Sequence, residues 1–410
     1  MTSGYVLRTF FLLAACCFLS AALGQDQGAK GQAARPEVGK PLQTAIELLK
    51  AKKAKEALAK AREAQAVPNK TPYETYMVTR VIAQAAAGAG EPGVAAKAFD
   101  EASVSALAAD AEKRQFAAAA AGQYYFAKDY TKAAELAARY AKLGGTDKSV
   151  RTLYVQSLYL DNNFAAAARA ISADVEAEEE AGKAPAEEQL QLLANAYLQQ
   201  RDTAGNAKAM EKLVTYYPKR DYWLNLIYGI STRPGFSERL ALDVARLKIE
   251  TGTARTANEY LEAAQLSLVE GFPVEAAGII DKGYAAGLLG KGAEAERHRR
   301  LKDMAAKSVA EDKKSLASDA PSAKDVKALF NEGFNLVLHG KSEKGLQMME
   351  SALKQGIPSK RPDHAKLQLA YAYHLAGQNP KAVQIFRTVQ GTDGSGALAR
   401  AWAIRLSRPS

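Results

Sequence analysis

The chain has 410 residues, 48% of them hydrophobic and 24% charged, with a formal charge of +10 and two cysteines. Both cysteines, Cys16 and Cys17, fall in the first 24 residues, so the remainder has no disulfide, thiolate nucleophile or thiolate metal site. The positive balance is spread through mixed stretches such as Lys50 to Glu56, without an aromatic-lined basic stripe. It therefore reads as solvated helix surface and predicts no nucleic-acid partner.

The first 24 residues read as an export signal: Arg8, an apolar run from Phe10 to Ala22, and the small-x-small site Ala22-Leu23-Gly24. Leu13-Ala14-Ala15-Cys16 also resembles a lipobox, so Cys16 is a candidate lipidation site, against which the apolar run continues past the cysteine. Residues 25–40 lack periodicity and are expected to form a flexible tail.

From Pro41 the pattern turns helical, with Leu42, Ala45, Ile46 and Leu49 on one stripe. Helical pairs follow through residue 318, punctuated by Pro68-Asn69, Gly88 to Gly93, Gly144-Gly145, Tyr217-Pro218 and Arg233-Pro234-Gly235. The acidic stretch Glu176 to Glu180 reads as either a helix extension or a surface loop, and a loop with a protruding helical end is the expectation. Glu294 to Leu316 reads as one longer charged helix. Asp319 to Ser322 then marks the best domain boundary, before two more pairs and a closing helix from Ala397 to Leu406. The expected domains are thus 41–318 and 319–410.

A small residue recurs at Ala57, Ala95, Ala133, Ala167, Ala207, Ala241, Ala276, Gly345 and Ala382, close to a 34-residue beat with one double step. Paired helices need a small side chain where their axes approach, since a larger one there typically costs ~1–3 kcal/mol. No run of alternating β-branched residues is long enough for a sheet, so the expected class is all-α, in about nine helical hairpins.

The clearest copy runs from Leu369-Ala370-Tyr371-Ala372-Tyr373 to Ala382-Val383-Gln384-Ile385-Phe386, and a second begins at Leu193-Ala194-Asn195-Ala196-Tyr197. On these residues the chain resembles the tetratricopeptide-repeat superfamily, and more narrowly the exported, alanine-rich repeat proteins of Gram-negative bacteria. None of the copies keeps the family's tryptophan. The resemblance implies a right-handed α-solenoid whose first helices line a concave, protein- or peptide-binding groove, and it implies no enzyme and no cofactor. Carried over by position, it puts Asn195 and Gln199 in the groove centrally, and His364, Tyr371 and His374 there in the last pair. Tyr124, Tyr371 and Tyr373 would serve as anchors if exposed. The lysines and arginines of a carboxylate clamp are missing from the neighbouring units.

Three apparent catalytic motifs dissolve on inspection. Gly88, Gly90 and Gly93 fit G-x-G-x-x-G but lie between helices with Pro92 among them, a turn rather than a dinucleotide site. Ser351-Ala352-Leu353-Lys354 fits S-x-x-K without companion motifs, and Ala352 is a packing position. The four histidines, His298, His339, His364 and His374, have no metal-binding spacing, the last two being about 15 Å apart on one helix. The sequence thus points to a non-enzymatic, exported, periplasmic adaptor for protein partners. The alternative is an outer-membrane-anchored component of an envelope machine, touching the membrane through a lipid on Cys16 or through a partner.

Overall fold

The structure is a computed structural model describing residues 33–315, 325–356 and 362–407. The expected signal, Cys16 and the 318/319 boundary lie outside the described residues. Every regular element among the described residues is a helix. Nine pairs form in chain order: α1/α2 (Pro36–Lys50, Ala54–Ala66), α3/α4 (Pro72–Ala89, Pro92–Ser103), α5/α6 (Asp110–Phe126, Tyr130–Lys142), α7/α8 (Lys148–Leu160, Phe164–Glu180), α9/α10 (Glu187–Gln199, Thr203–Tyr216), α11/α12 (Arg220–Ser231, Ala241–Glu250), α13/α14 (Ala257–Val269, Pro273–Ala285), α16/α17 (Val326–Leu338, Ser342–Gln355) and α18/α19 (Pro362–Leu375, Asn379–Phe386). The unpaired α15 (Ala295–Ser315) precedes α16, and α20 (Ser395–Leu406) closes the chain. Among the described residues no helix is long and apolar enough to cross a membrane.

Eight of the nine pairs are joined by one and the same turn. Two positions before each second helix stands a residue in left-handed backbone: Lys52, Gly90, Lys128, Asn162, Arg201, Gly271, Gly340 or Gly377, with φ between 58° and 80°. The next N–H donates to the carbonyl five residues back, from Lys53 to Leu48 at 2.8 Å in the first pair and Gln378 to Tyr373 at 2.9 Å in the last. This Schellman closure satisfies carbonyls left open at the end of the first helix and returns the chain antiparallel. Only half of these sites carry glycine, and left-handed backbone costs other residues roughly 1–2 kcal/mol. Arg201→Gly is therefore expected to stabilise the protein by up to about 1 kcal/mol, the added freedom of the unfolded chain offsetting part of the relief. An unchanged or lowered urea midpoint would contradict this.

The beat of small residues falls on the fourth position of each second helix. Ala57, Ala95, Ala133, Ala167, Ala276 and Ala382 all stand there fully buried, and Gly345 stands there in α17. Two expected members are corrected. In α10 the fourth position is Asn206, not the half-buried Ala207, and the Asn206 amide donates to the Ala194 carbonyl across the pair at 2.8 Å. In α12 it is Val244, because a short 3-10 turn (Glu238–Leu240) and an irregular loop replace the tight connection and leave Ala241 at the first position.

Two other expectations shift. Helix α1 starts at Pro36 rather than Pro41, since proline is pre-set for a first helical position and the Arg35 backbone N–H is held by Glu74 at 2.8 Å. Helix α8 runs on to Glu180, so Glu176 to Glu180 are helical rather than looped, and Glu179 pairs with Lys212 at 2.5 Å and accepts from the Tyr216 hydroxyl at 3.0 Å.

The chain divides at Ile171/Ser172 into two compact units. In the first, alanines pack at full burial along α2 to α6, with Phe99 and Phe116 filling the space at a ring separation of 6.2 Å. Its N-terminal end is fastened by Glu74. That fully buried residue closes the Thr71 capping box of α3 and accepts from the Arg35 guanidinium at 3.0 Å. The Arg35 hydrogen bond, the Thr71 N–H and the Arg35 N–H together draw its carboxyl down to about 2. A depressed carboxyl contributes stability that is full above its unfolded value near 4.3 and is lost as pH falls toward 2. Acid titration should accordingly release α1 from α3 in that window, and Glu74→Gln should abolish this part of the pH dependence. A variant that loosens in parallel with the parent would contradict the assignment.

In the second unit, α9 to α14 form three successive pairs and α15 lies along α14. Helices α16 to α20 belong to the same compact unit as α9 to α15. Helix α20 packs on α10, α11 and α12 as well as on α18 and α19, and α16 packs on α14. Nine of its residues, including Leu398, Trp402 and Leu406, are buried. The unit is closed on itself by its last helix. The physical reason is the apolar content of that helix, which its own neighbour α19, eight residues long, is too short to cover.

Candidate functional site

Two features of the second unit bear on function. The first is a set of exposed apolar side chains at or near the C-terminal ends of first helices. Leu198 on α9 is 62% exposed, Tyr228 on α11 67% and Val269 on α13 83%. The first unit repeats the arrangement with Phe126 at the end of α5 and Leu160 at the end of α7. The cause is local. The residue packed into the hairpin, such as Tyr124 or Tyr373, is followed within one to three positions by the last residues of the helix, which point away from the second helix. Asn195 and Gln199 are exposed one turn apart on α9 beside Leu198, and the Gln199 amide reaches the Asn195 carbonyl oxygen at 3.4 Å. At the other end of that helix, Glu187 and Gln191 both bond the Tyr222 hydroxyl of α11 and fix the two first helices side by side.

The second feature is the seam where α16, α18 and α20 meet α10, α12 and α14. Arg246 on α12 is its centre, 3% exposed. Its guanidinium donates through Nε and Nη2 to Glu275, both at 2.7 Å, and through Nη1 to Asp243 at 2.9 Å. Aromatic rings close over it: Tyr371 at 4.7 Å, Phe334 at 5.3 Å and Phe272 at 5.8 Å from ring centre to guanidinium carbon. Burial alone would favour a neutral arginine, but the Glu275 charge and hydrogen bonds outweigh it and hold the cation. At Asp243, burial pushes the carboxyl up, and the His364 hydrogen bond with the Arg246 charge reverses this to a net lowering. Burial, reinforced by the Glu275 charge, raises the Tyr371 hydroxyl well above its ordinary range.

The three residues carried over to a groove in the last pair are in this seam. His364 Nε2 lies 3.0 Å from Asp243 Oδ2. Tyr371 is wedged between Phe334 and Trp402, with ring separations of 6.3 and 5.3 Å. His374 faces Glu250 of α12 at 3.9 Å and bonds Asn379 at 2.8 Å. They are therefore packing groups of an internal interface, and the structure brings them together with one another but not with Asn195 and Gln199. Tyr124 and Tyr373, each 7% exposed, are likewise core residues rather than anchors. The sequence reading missed Arg246, Asp243 and Glu275. An arginine spaced three from an aspartate reads as an ordinary surface pair until α18 covers it. The exposed Tyr228 and Val269 were missed because α11 and α13 carry the motif weakly.

Among the described residues no group of three or more His, Cys, Asp or Glu side chains is placed to hold a metal ion. A cleft of about 230 Å³ opens between α11, α12 and α13, lined by Phe236, Val244, Ala263 and Leu266 with the Lys248–Glu259 ion pair at 3.2 Å. It occupies the space that the irregular α11/α12 connection leaves unfilled.

No family model matches the chain, and no curated protein does. Several solved structures are similar to it. The TPR2AB domain of yeast Sti1 in its complex with pHSP90 is 13% identical, covers 73% of this chain and 100% of its own, and gives a TM-score of 0.24. The TPR domain of P58(IPK) is 13% identical over 90% of this chain and 98% of its own, with a TM-score of 0.22. Yeast Tom70 is 12% identical over 90% of this chain and 95% of its own, with a TM-score of 0.24. Among the described residues the fold of each unit is all-α, built of repeated helical hairpins. The nine hairpins agree with the number read from the sequence.

Proposed function

We propose that this protein is a non-enzymatic adaptor that binds protein or peptide partners across the exposed ends of the first helices of its second unit. The observation that carries the reading is the recurrence of large apolar side chains in solvent at or near those helix ends, in Leu198, Tyr228 and Val269. Single exposed apolar residues are ordinary on any surface, whereas a periodic series beside polar groups such as Asn195 and Gln199 has the composition of a binding surface. A rigid aromatic such as Tyr228 supplies contact area at little entropic cost, which suits it as an anchor. The proposed setting is the periplasm, on the strength of the export-like first 24 residues.

A photo-crosslinking side chain placed at Tyr228 or Val269 should give discrete partner adducts in cells, and Leu198→Ala with Tyr228→Ala should remove them. Adducts that survive the double replacement would move the binding surface elsewhere. A second reading, an envelope-machine component anchored by lipid, rests on the lipobox-like Leu13 to Cys16. Intact mass decides between the two: a chain starting at a diacylglyceryl-modified Cys16 favours the anchor, and one starting at Gln25 favours the soluble adaptor.

A further inference from the structure

We propose that the cleft between α11, α12 and α13 is a side-chain pocket that receives one lysine or arginine of a partner peptide, with Glu262 as its counter-charge. The inference rests on the adaptor reading above and names the chemistry of the partner. The cleft is lined by one face of each of two helices, from Ala241 to Lys248 of α12 and from Glu259 to Leu266 of α13, at the i, i+3, i+4, i+7 spacing. The alanines on these faces are too short to close the gap. Its volume of about 230 Å³ exceeds the roughly 150 Å³ of an apolar cavity that takes up benzene, so one long side chain fits. The wall at Phe236 is held in place. The Ser237 N–H donates to the Asp393 carbonyl at 2.9 Å, and Gly394, at φ 105°, lies so close to the Phe236 ring that a Cβ there would stand 2.5 Å from it.

Charge selects the occupant. Lys248 is neutralised by Glu259 at 3.2 Å, and Glu259 also accepts from the Arg255 and Thr256 N–H groups. Glu262, one turn further along α13, is exposed, and among the described residues its carboxylate has no ion-pair partner. The lining therefore carries two carboxylates against one ammonium. The surface around it has the same sign. The exposed positions of α9, α11 and α13 hold the carboxylates Glu188, Asp221 and Glu262 and no lysine or arginine, while Arg233 and Arg255 stand in the flanking connections, outside the lining. An acidic side chain is repelled here, and a purely apolar one strips water from Glu262 without replacing it. A lysine or arginine satisfies both parts, its methylene stem lying along the alanines and Leu266 and its cation meeting Glu262.

Selection of random peptides displayed on phage against the intact chain tests this. The recovered peptides should carry a lysine or arginine beside apolar residues, and selection against Glu262→Lys should lose that basic preference. In fluorescence anisotropy, the affinity of a recovered peptide should fall roughly three- to tenfold when its basic residue is replaced by norleucine, and equally with Glu262→Gln. The two changes together should cost little more than either alone, because both remove one contact. Glu262 is exposed, so its replacement leaves the fold intact. Recovered peptides without a basic residue, or two losses that add in full, overturn the pocket and leave the adaptor surface standing. Failure to enrich any sequence above the display background overturns the adaptor reading and the pocket with it.

Discussion

Arg246→Ala is expected to destabilise residues 172–407 by about 3–5 kcal/mol, the range measured when one partner of a buried ion pair is removed. The loss has two sources. Asp243 and Glu275, 2% and 8% exposed, are left as buried carboxylates without their shared cation, and three aromatic rings lose the guanidinium they pack against. Lysine does not restore the site, because a point charge cannot bond Glu275 through two nitrogens while donating to Asp243. Urea unfolding followed by tryptophan emission reads the change, as Trp402 stacks on Phe386 at 5.9 Å and lies 5.3 Å from the Tyr371 ring that covers Arg246. Combining Arg246→Met with Asp243→Asn and Glu275→Gln removes all three charges and should recover much of the loss, since an uncharged, filled site carries no desolvation debt. An Arg246→Ala midpoint equal to the parent's would show that the cluster is hydrated and contributes nothing to closure.

Gly345→Ala should reverse the usual effect of that exchange. In an ordinary helix interior alanine is favoured over glycine by roughly 0.5–1 kcal/mol. Here α16 and α17 cross through two glycines. A Cβ on Gly333 would stand 2.7 Å from the Gly345 carbonyl oxygen, and a Cβ on Gly345 would meet the Gly333 carbonyl oxygen and lie 2.9 Å from the Val337 nitrogen. Those neighbours are backbone and cannot swing aside. The helices must separate, with an expected net cost of about 1–3 kcal/mol for either single exchange. The double exchange should cost less than the sum of the two, because both groups enter the same gap. A stabilised Gly345→Ala variant would mean the crossing is looser than the structure gives.

Both expectations locate the limits of sequence reading. Gly345 was legible as a member of the small-residue beat. Its partner Gly333 was not, because the first-helix side of the pair follows no fixed spelling in this chain. The same holds for the turns: glycine at Gly90, Gly271, Gly340 and Gly377 announces a left-handed residue, while Lys52, Lys128, Asn162 and Arg201 adopt that backbone unannounced. Asn206 shows the converse, a polar side chain at a packing position made acceptable by one hydrogen bond to Ala194.

The candidate site divides in the same way. Asn195 and Gln199 are exposed together on α9, since the face of a single amphipathic helix follows from its own periodicity. His364, Tyr371 and His374 were equally well placed on the face of α18 opposite its hairpin partner. What covers that face is α12 and α20, more than a hundred and about thirty residues away, and no local pattern encodes a contact of that range. The helices, their pairing and their period were thus set by short-range rules, alanine spacing and turn closure, that operate within about forty residues. The closure of the second unit, the burial of Arg246 between two acids, and the conversion of expected groove residues into an internal seam were decided by tertiary packing. Only the assembled chain can determine which amphipathic faces find one another and which stay in water.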